Sequence, residues 1–427
     1  MPDTLTFRHR LLRACATSVL ATLYAAAAWL SRRSRRRPPH ARSGSHCVLV
    51  LGTFHNPNWC RSHLGPLARS DVGEVVVVCD ELPPPLRNVR CECPPRALQV
   101  LLTRAGAKFC WSLVLAVRLR PDLFMGYHIF PCALLALVLA RIFGRPASYQ
   151  MTAGPIEISG GGWRAENRLL RALGAPSALA ERLAACVVRE FDSVVVRGSG
   201  AAAYVRELGY ARNLVVITGS VAPPPDWLDF ESRPIDVAFV GRLAQHKRPD
   251  RFVAVVAALV AARTGTRAAI IGAGPELAEI ESLVARLELQ SNIEILGQRD
   301  DVEALLAQTK VFVLTSQSEG LSIAMLEAMA AGAVPVVADV GDLRDRLESG
   351  QSGYLVAAAD VAGYARAALH LLSDAEVWRR CSRLAARLAV EHSGSDVIAA
   401  RWRAHLASVL AHEAPGAQIA NASGPIR

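Results

Sequence analysis

Apolar strand-like runs alternate with longer helical patterns twice over, which predicts an α/β chain of two doubly wound units whose parallel sheets face a central cleft. Three observations carry this. Short β-branched runs such as Cys47–Leu51 and Val237–Val240 recur at the spacing that crossover units require. The alternation stops at Ala222-Pro223-Pro224-Pro225 and then restarts. In the second unit Gly241-Arg242, Gly272-Ala273-Gly274, Gly297-Gln298-Arg299 and Glu319 each fall just after a strand, where open parallel sheets bind ligands. At 427 residues, 52% apolar and 20% charged, the chain is large enough for both units.

The first unit, residues 45–221, predicts strands at Cys47–Leu51, Glu74–Cys79, Val89–Cys93, Leu123–Tyr127, Ala147–Met151, Ser193–Val196 and Val215–Thr218. Helices are predicted at Ala97–Leu119, Cys132–Ile142, Ala178–Arg189 and Gly200–Leu208. Residues 222–235 read as the linker. The second unit, residues 236–412, predicts strands at Val237–Val240, Ala268–Ile271, Ile293–Leu296, Val311–Leu314, Pro335–Ala338 and Tyr354–Val356, closed by helical patterns at Ala359–Leu372, Ala375–Val390 and Ser395–Leu410. Residues 413–427 read as a disordered tail.

The net charge of +10 is unevenly placed: residues 1–42 hold nine arginines and one acid, leaving the rest of the chain near neutrality. With no basic face, stacking motif or zinc-finger spacing, nucleic acid is not an expected partner. Ala14–Leu30 is seventeen residues without a charge, followed by the cluster SRRSRRR. That reads as a membrane anchor or an interfacial helix with the downstream chain cytoplasmic, the other reading being a transit peptide or a disordered extension. Ten scattered cysteines, with one close pair at Cys91 and Cys93, read as reduced thiols with no metal site.

The chemistry concentrates in SQSEGLSIAMLEAMAAGAVPVVA, residues 316–338. An apolar run, a polar turn ending in Glu319, and a helix-forming run from Ile323 set the amides of Gly320, Leu321 and Ser322 and a positive dipole end at a strand's carboxyl edge. That is an anion site. Glu319 and Glu327 beside it suit a ligand that also carries hydroxyls, since carboxylates accept strong hydrogen bonds from them. Gly241-Arg242 and Lys247 follow the Val237–Val240 strand and supply cations for a diphosphate. Lys247 is one of three lysines, with Lys108 and Lys310, among 48 basic residues, and a compact ammonium serves phosphate as a point charge. Gly272-Ala273-Gly274 lacks the third glycine of a dinucleotide fingerprint, position 277 being leucine, so hydride chemistry is not expected.

The runs FVGRLAQHKRPDRF and IIGAGPELAEIESLVARLELQSNIEILGQRDDVEALLAQTKVFVLTSQSEGLSIAMLEAMAAGAVPVVA, with DLRDRLESGQSGYLV, resemble the donor-binding half of retaining glycosyltransferases of family four. Glu319 and Glu327 stand as that family's E-x7-E pair. The resemblance is continuous over residues 236–356 and weaker over 45–220. It implies the GT-B fold, two Rossmann-like domains, with the last helix crossing back onto the first. It implies that Glu319 bonds donor-sugar hydroxyls, that Glu327 bonds the ribose, and that turns carrying Gly272, Gly274, Gln298 and Arg299 hold the base. Arg242 and Lys247 would stabilise the leaving diphosphate. No D-x-D pair occurs in the chain, so neither a metal nor any cofactor is expected. On the acceptor side, Gly52, His55, His128, Thr152 and Gly154 follow strands of the first unit. Thr152 stands where many relatives carry a histidine, and Ser159-Gly160-Gly161-Gly162-Trp163 reads as an acceptor loop.

The implied function is transfer of a sugar from a nucleotide-diphosphate sugar to a glycan or lipid-linked acceptor, in envelope or exopolysaccharide assembly at a membrane surface. The alternatives are a silent nucleotide-sugar-binding subunit and a GT-B sugar-nucleotide epimerase.

Overall fold

A computed structural model describes residues 7–34, 46–54, 57–83, 85–165, 167–223 and 227–411, with residues 7–11 as backbone only. His55, residues 224–226 of the expected linker and the expected tail 413–427 lie outside the described residues.

The first sheet has seven strands: β1 (His46–Leu51), β2 (Gly73–Val78), β3 (Val89–Glu92), β4 (Leu123–Tyr127), β5 (Ala147–Gln150), β6 (Ser193–Val196) and β7 (Asn213–Val216). The second has six: β8 (Ile235–Val240), β9 (Ala268–Ile271), β10 (Ile293–Gly297), β11 (Thr309–Leu314), β12 (Val334–Ala338) and β13 (Tyr354–Val356). Their orders are β3-β2-β1-β4-β5-β6-β7 and β10-β9-β8-β11-β12-β13. Every pairing is parallel; Val48, for example, is opposite Val75 on one side and Leu123 on the other. Central strands such as β1, β8 and β11 are apolar because helices cover both faces, and their side chains are almost wholly buried.

In each sheet the chain runs outward in one direction, returns, and continues in the other. The reversal falls between β1 and β4 and again between β8 and β11. A crevice opens at the carboxyl ends of such a pair, because the loops on either side of it leave toward opposite faces. The helix Ser395–Leu410 lies against the first sheet, where Trp402 and Leu406 share a core with Cys60, Leu64 and Val50.

The strand positions agree with the sequence pattern to within two residues, but one expected helix is divided and another helix has no mark in the pattern. The single helix expected over Ala97–Leu119 is two, Arg96–Leu101 and Arg104–Leu119. Leu102 is extended between them, and the Thr103 hydroxyl caps the second by accepting from the Gly106 amide. A helix over Pro57–Ala68 was not anticipated; its proline, asparagine and histidine hide the period. The amino-terminal segment forms a helix over Phe7–Arg33 that lies on the first unit. Leu12–Arg33 has the length and mean hydropathy, 1.4, to cross a membrane. Yet Ala16, Leu20, Tyr24 and Ala27 are buried in the same core as the helices Leu134–Phe143 and Ala178–Val188.

Candidate functional site

Lys247 and Glu319 meet at the second sheet's reversal. Lys247 follows β8 and Glu319 follows β11, so neighbouring strands deliver them to one crevice. Lys247 Nζ donates to both carboxylate oxygens of Glu319 at 2.7 and 2.8 Å, and Ser316 Oγ donates to Oε1 at 2.5 Å. The Glu319 side chain is 8% exposed and that of Lys247 19%, so the pair is largely withdrawn from water.

Backbone bonds lock the turns that carry them. The Gln317 amide donates to the His246 carbonyl at 2.7 Å and Thr315 Oγ1 to the Arg248 carbonyl at 2.8 Å, tying the turn after β8 to the one after β11. The next turns join through Leu243 to Ala273 and Gly272 to Gly297. Gly272 sits at φ +144°, where a β-carbon would stand 1.9 Å from the Gly241 carbonyl oxygen, so only glycine allows that approach. Gly241, Gly272, Gly274 and Gly297 therefore form one rim. Of the other expected donor-site residues, Arg242, Gln298 and Arg299 are exposed at this rim, and Arg299 is held by its near neighbour Asp301 at 2.7 Å.

The helix Ile323–Ala330 begins beside the Lys247–Glu319 pair. Ser322 caps it, its hydroxyl accepting from the Met325 amide. Leu321 is buried beneath. Glu327 lies one turn along, half-buried, and its carboxyl is pushed up to about 7 by burial, then by the carboxylate of Glu303, against a weaker opposing effect of Arg61. Arg61 belongs to the helix Pro57–Ala68 of the first unit.

The first unit closes the other wall. A β-carbon at Gly320 would stand 2.7 Å from the Thr152 carbonyl oxygen, and one at Gly154 would stand 3.6 Å from the Gly320 Cα. Thr152 follows β5 and His128 follows β4; Thr152 Oγ1 is 3.2 Å from His128 Nδ1. Gly52, following β1, accepts from the buried Lys108 at 2.7 Å, and Lys108 also pairs with Asp80 at 3.0 Å. His55, expected in this group, lies outside the described residues.

Glu157 organises this wall, and the sequence reading missed it. Its carboxylate, 3% exposed, accepts from the amides of Ile129, Thr152 and Ala153 and from the Tyr149 hydroxyl, all within 3.0 Å, with His128 Nδ1 at 3.1 Å. Burial pushes its pKa up, but the His128 imidazole, the Ala153 amide and Tyr149 outweigh that and hold it below the ordinary value. No motif marks it; a glutamate seven residues beyond a strand end is unremarkable as sequence.

On the same seam, two aspartates of the second unit cap a helix of the first. Asp345 accepts from Ser199 N and Oγ at 2.5 and 2.6 Å, and Asp342 from Gly200 N at 2.7 Å, at the amino end of the helix Ser199–Glu207. The positive end of that helix is thereby neutralised from across the cleft.

Comparison with known proteins agrees with this fold. Residues 227–387 match the family described as Glycosyl transferases group 1. N-acetyl-alpha-D-glucosaminyl L-malate synthase of Bacillus anthracis is 31% identical over 147 residues, 34% of this chain and 39% of that protein. Lipopolysaccharide core biosynthesis glycosyltransferase LpsE of Rhizobium meliloti is 30% identical over 197 residues, 44% and 55% of the two chains. Both alignments span less than two thirds of the relative. Among solved structures, sucrose-phosphate synthase from Thermosynechococcus elongatus superposes with a TM-score of 0.72 at 16% identity, covering 86% of this chain and all of that one. HepE from Anabaena, solved with UDP-glucose, gives 0.68 at 16% identity, covering 85% and 100%. The chain has the GT-B fold, two parallel-sheet α/β units, and its second unit carries a Glycosyl transferases group 1 domain.

Proposed function

We propose that this protein is a retaining glycosyltransferase of family four, moving a sugar from a nucleotide-diphosphate sugar to a glycan or lipid-linked acceptor. The observation that carries this reading is the Lys247–Glu319 pair at the second sheet's reversal, beside the start of the helix Ile323–Ala330. The arrangement supplies each element the chemistry needs. Lys247, Arg242 and the amides of Gly320, Leu321 and Ser322 meet the charge that develops on the leaving diphosphate, in a crevice that holds them before the reaction begins. Glu319, released from Lys247, accepts hydroxyls of the sugar, and Glu327 those of the ribose. Gly272, Gly274, Gln298 and Arg299 border the base. Same-face attack, with the leaving phosphate taking the acceptor's proton, retains the anomeric configuration and needs no separate nucleophile. No metal or cofactor is assigned a role.

The relatives' names support an envelope role: they include enzymes of lipopolysaccharide core and colanic acid biosynthesis. The HepE complex supports a nucleotide-sugar donor. We place the protein at the cytoplasmic side of a membrane, where such donors and lipid-linked acceptors meet.

A thermal-shift screen of UDP-, GDP- and ADP-sugars, followed by transfer to a lipid-linked acceptor, tests the reading. A bound donor raises the melting temperature by mass action. If none of the nucleotides binds the folded protein, the proposal fails. Binding without transfer to any acceptor leaves a nucleotide-sugar-binding subunit.

A further inference from the structure

Four neighbouring helices pack on one side of the first sheet, beside the helix Ser199–Glu207: Phe7–Arg33, Arg104–Leu119, Leu134–Phe143 and Ala178–Val188. Their inner faces share one core, in which Leu20, Tyr24, Leu115, Leu137 and Val187 are buried. Their outer faces are unlike an ordinary protein surface. Eight of the fourteen large hydrophobic side chains exposed among the described residues belong to these four helices, including Val19, Trp29, Val117, Ile142 and Leu179.

Charge marks the same layer. The four helices contain ten basic residues and a single acid, Glu181. Among the described residues, acids from neighbouring segments bind three of the ten: Arg32 through Glu190, Arg141 through Asp192 and the buried Lys108 through Asp80. A soluble helix places charges opposite its buried stripe. The helix Phe7–Arg33 has none on any face between Ala14 and Leu30, although half of that stretch points outward. At one end of it the Arg33 guanidinium lies 4.6 Å from the Trp29 ring centre, and at the other Arg13 donates to the Pro176 carbonyl. Close to Pro176 is the turn bearing Gly160 and Trp163, with Arg164 stacked 4.6 Å over the Trp163 ring. Apolar side chains rimmed by arginine and tryptophan, with almost no acid, match the boundary between acyl chains and anionic headgroups.

We propose that this four-helix face is a docking surface for an anionic bilayer, on which the helix Phe7–Arg33 lies flat as the outermost layer of the folded unit. Spanning would strip Leu20 and Tyr24, both almost wholly buried, from that core. The inference deepens the membrane placement proposed above: it names residues far from the amino terminus as membrane contacts. It also sets the Trp163 turn, at the cleft end of the layer, next to the lipid surface from which an acceptor would enter.

The test is flotation of the full chain with vesicles of phosphatidylcholine alone or mixed with phosphatidylglycerol. Wild type should float with the anionic vesicles, and salt should weaken this. Val117→Glu and Leu179→Glu, both outside the amino-terminal segment, should each lower vesicle affinity about tenfold or more while melting temperature and nucleoside diphosphate binding stay unchanged. Wild-type affinity in both variants overturns the proposal. So does retention of the protein in membranes after an alkaline wash, which marks a spanning anchor. Loss of a dimer in the variants without loss of flotation assigns the face to self-association instead. Nucleotide binding, read on the same samples, reports separately on the transferase reading.

Discussion

Lys247 Nζ stands within 2.8 Å of both carboxylate oxygens of Glu319, so the cation and the acid at the second sheet's reversal neutralise each other before any ligand arrives. On the proposed reading, an incoming diphosphate competes with Glu319 for the ammonium and the freed carboxylate faces the ligand's hydroxyls, so that one ion pair is exchanged for two interactions.

Removing the ammonium should therefore act twice. Lys247→Ala is expected to slow turnover about 10²–10³-fold, the range for losing one preorganised stabiliser. It should also lower the melting temperature, because it strands a buried carboxylate. Adding Glu319→Gln should restore the melting temperature but not turnover. A single variant with unchanged kcat would return Lys247 to a purely structural role.

Turnover should persist in EDTA. The reason is the chain's lack of a D-x-D pair together with the role proposed for Lys247 and Arg242 on the diphosphate. Strict dependence on added magnesium or manganese would contradict the electrostatic assignment.

Glu327 predicts a pH dependence. Its carboxyl is raised from an ordinary 4.5 to about 7 in the folded chain, so between those values the folded state holds a proton that the unfolded state releases. The stability contributed by this group is present below pH 4.5 and is lost as pH rises through 7. Glu327→Gln should accordingly melt higher than wild type at pH 8 and match it near pH 4. Nucleotide affinity should rise through pH 7 in the wild type, as the ionised acid becomes the stronger acceptor for ribose hydroxyls, and stay flat in the variant. Isothermal titration at pH 6 and pH 8 reads both.

The aspartate latch predicts a change of shape. Asp342→Ala with Asp345→Ala removes the acceptors at the amino end of the helix Ser199–Glu207 and should loosen the seam between the units. Small-angle scattering of the unliganded variant should show a larger radius of gyration, reversed by a bound donor. An unchanged curve would mean that the seam is held elsewhere.

For Glu157, the glutamine variant keeps the shape but turns an amide NH₂ toward backbone N–H groups. A loss of about 1–3 kcal/mol is expected for donors left without an acceptor. Hydrogen exchange should quicken at Thr152 and Ala153. Unchanged exchange would show that the loop is held by its packing against Gly320.

Most of the framework was legible because strands buried on both faces, such as Val311–Leu314, are plain apolar runs bounded by polar turns. The break at Leu102–Thr103 was not, since Leu-Leu-Thr continues a helical period and only the cap of Thr103 on Gly106 ends it. The site was legible as positions rather than as contacts. Lys247 and Glu319 each follow a strand, but their pairing depends on β8 and β11 being neighbours, a long-range relationship that spacing does not contain. Glu157 left no signal because its role is to satisfy backbone amides, which any sequence has. The helix Phe7–Arg33 was legible as apolar and long. That one face of it belongs to a core became visible only when Leu20 and Tyr24 were seen to meet side chains over a hundred residues away.

The scarcity of lysine makes the fold readable by a protease. An enzyme cutting only after lysine has three targets in this chain, each with its ammonium held by a carboxylate: Lys108 by Asp80, Lys247 by Glu319 and Lys310 by Asp236. Lys108 lies within a helix and Lys310 within the central strand β11, so those two bonds are reached only when whole units open. Lys247 lies in a short turn at the mouth of the crevice. The first cut in native protein should fall there, at a rate set by local opening. A nucleotide that fills the crevice should slow it, turning a single peptide bond into a gauge of occupancy that the arginine-covered surface does not obscure.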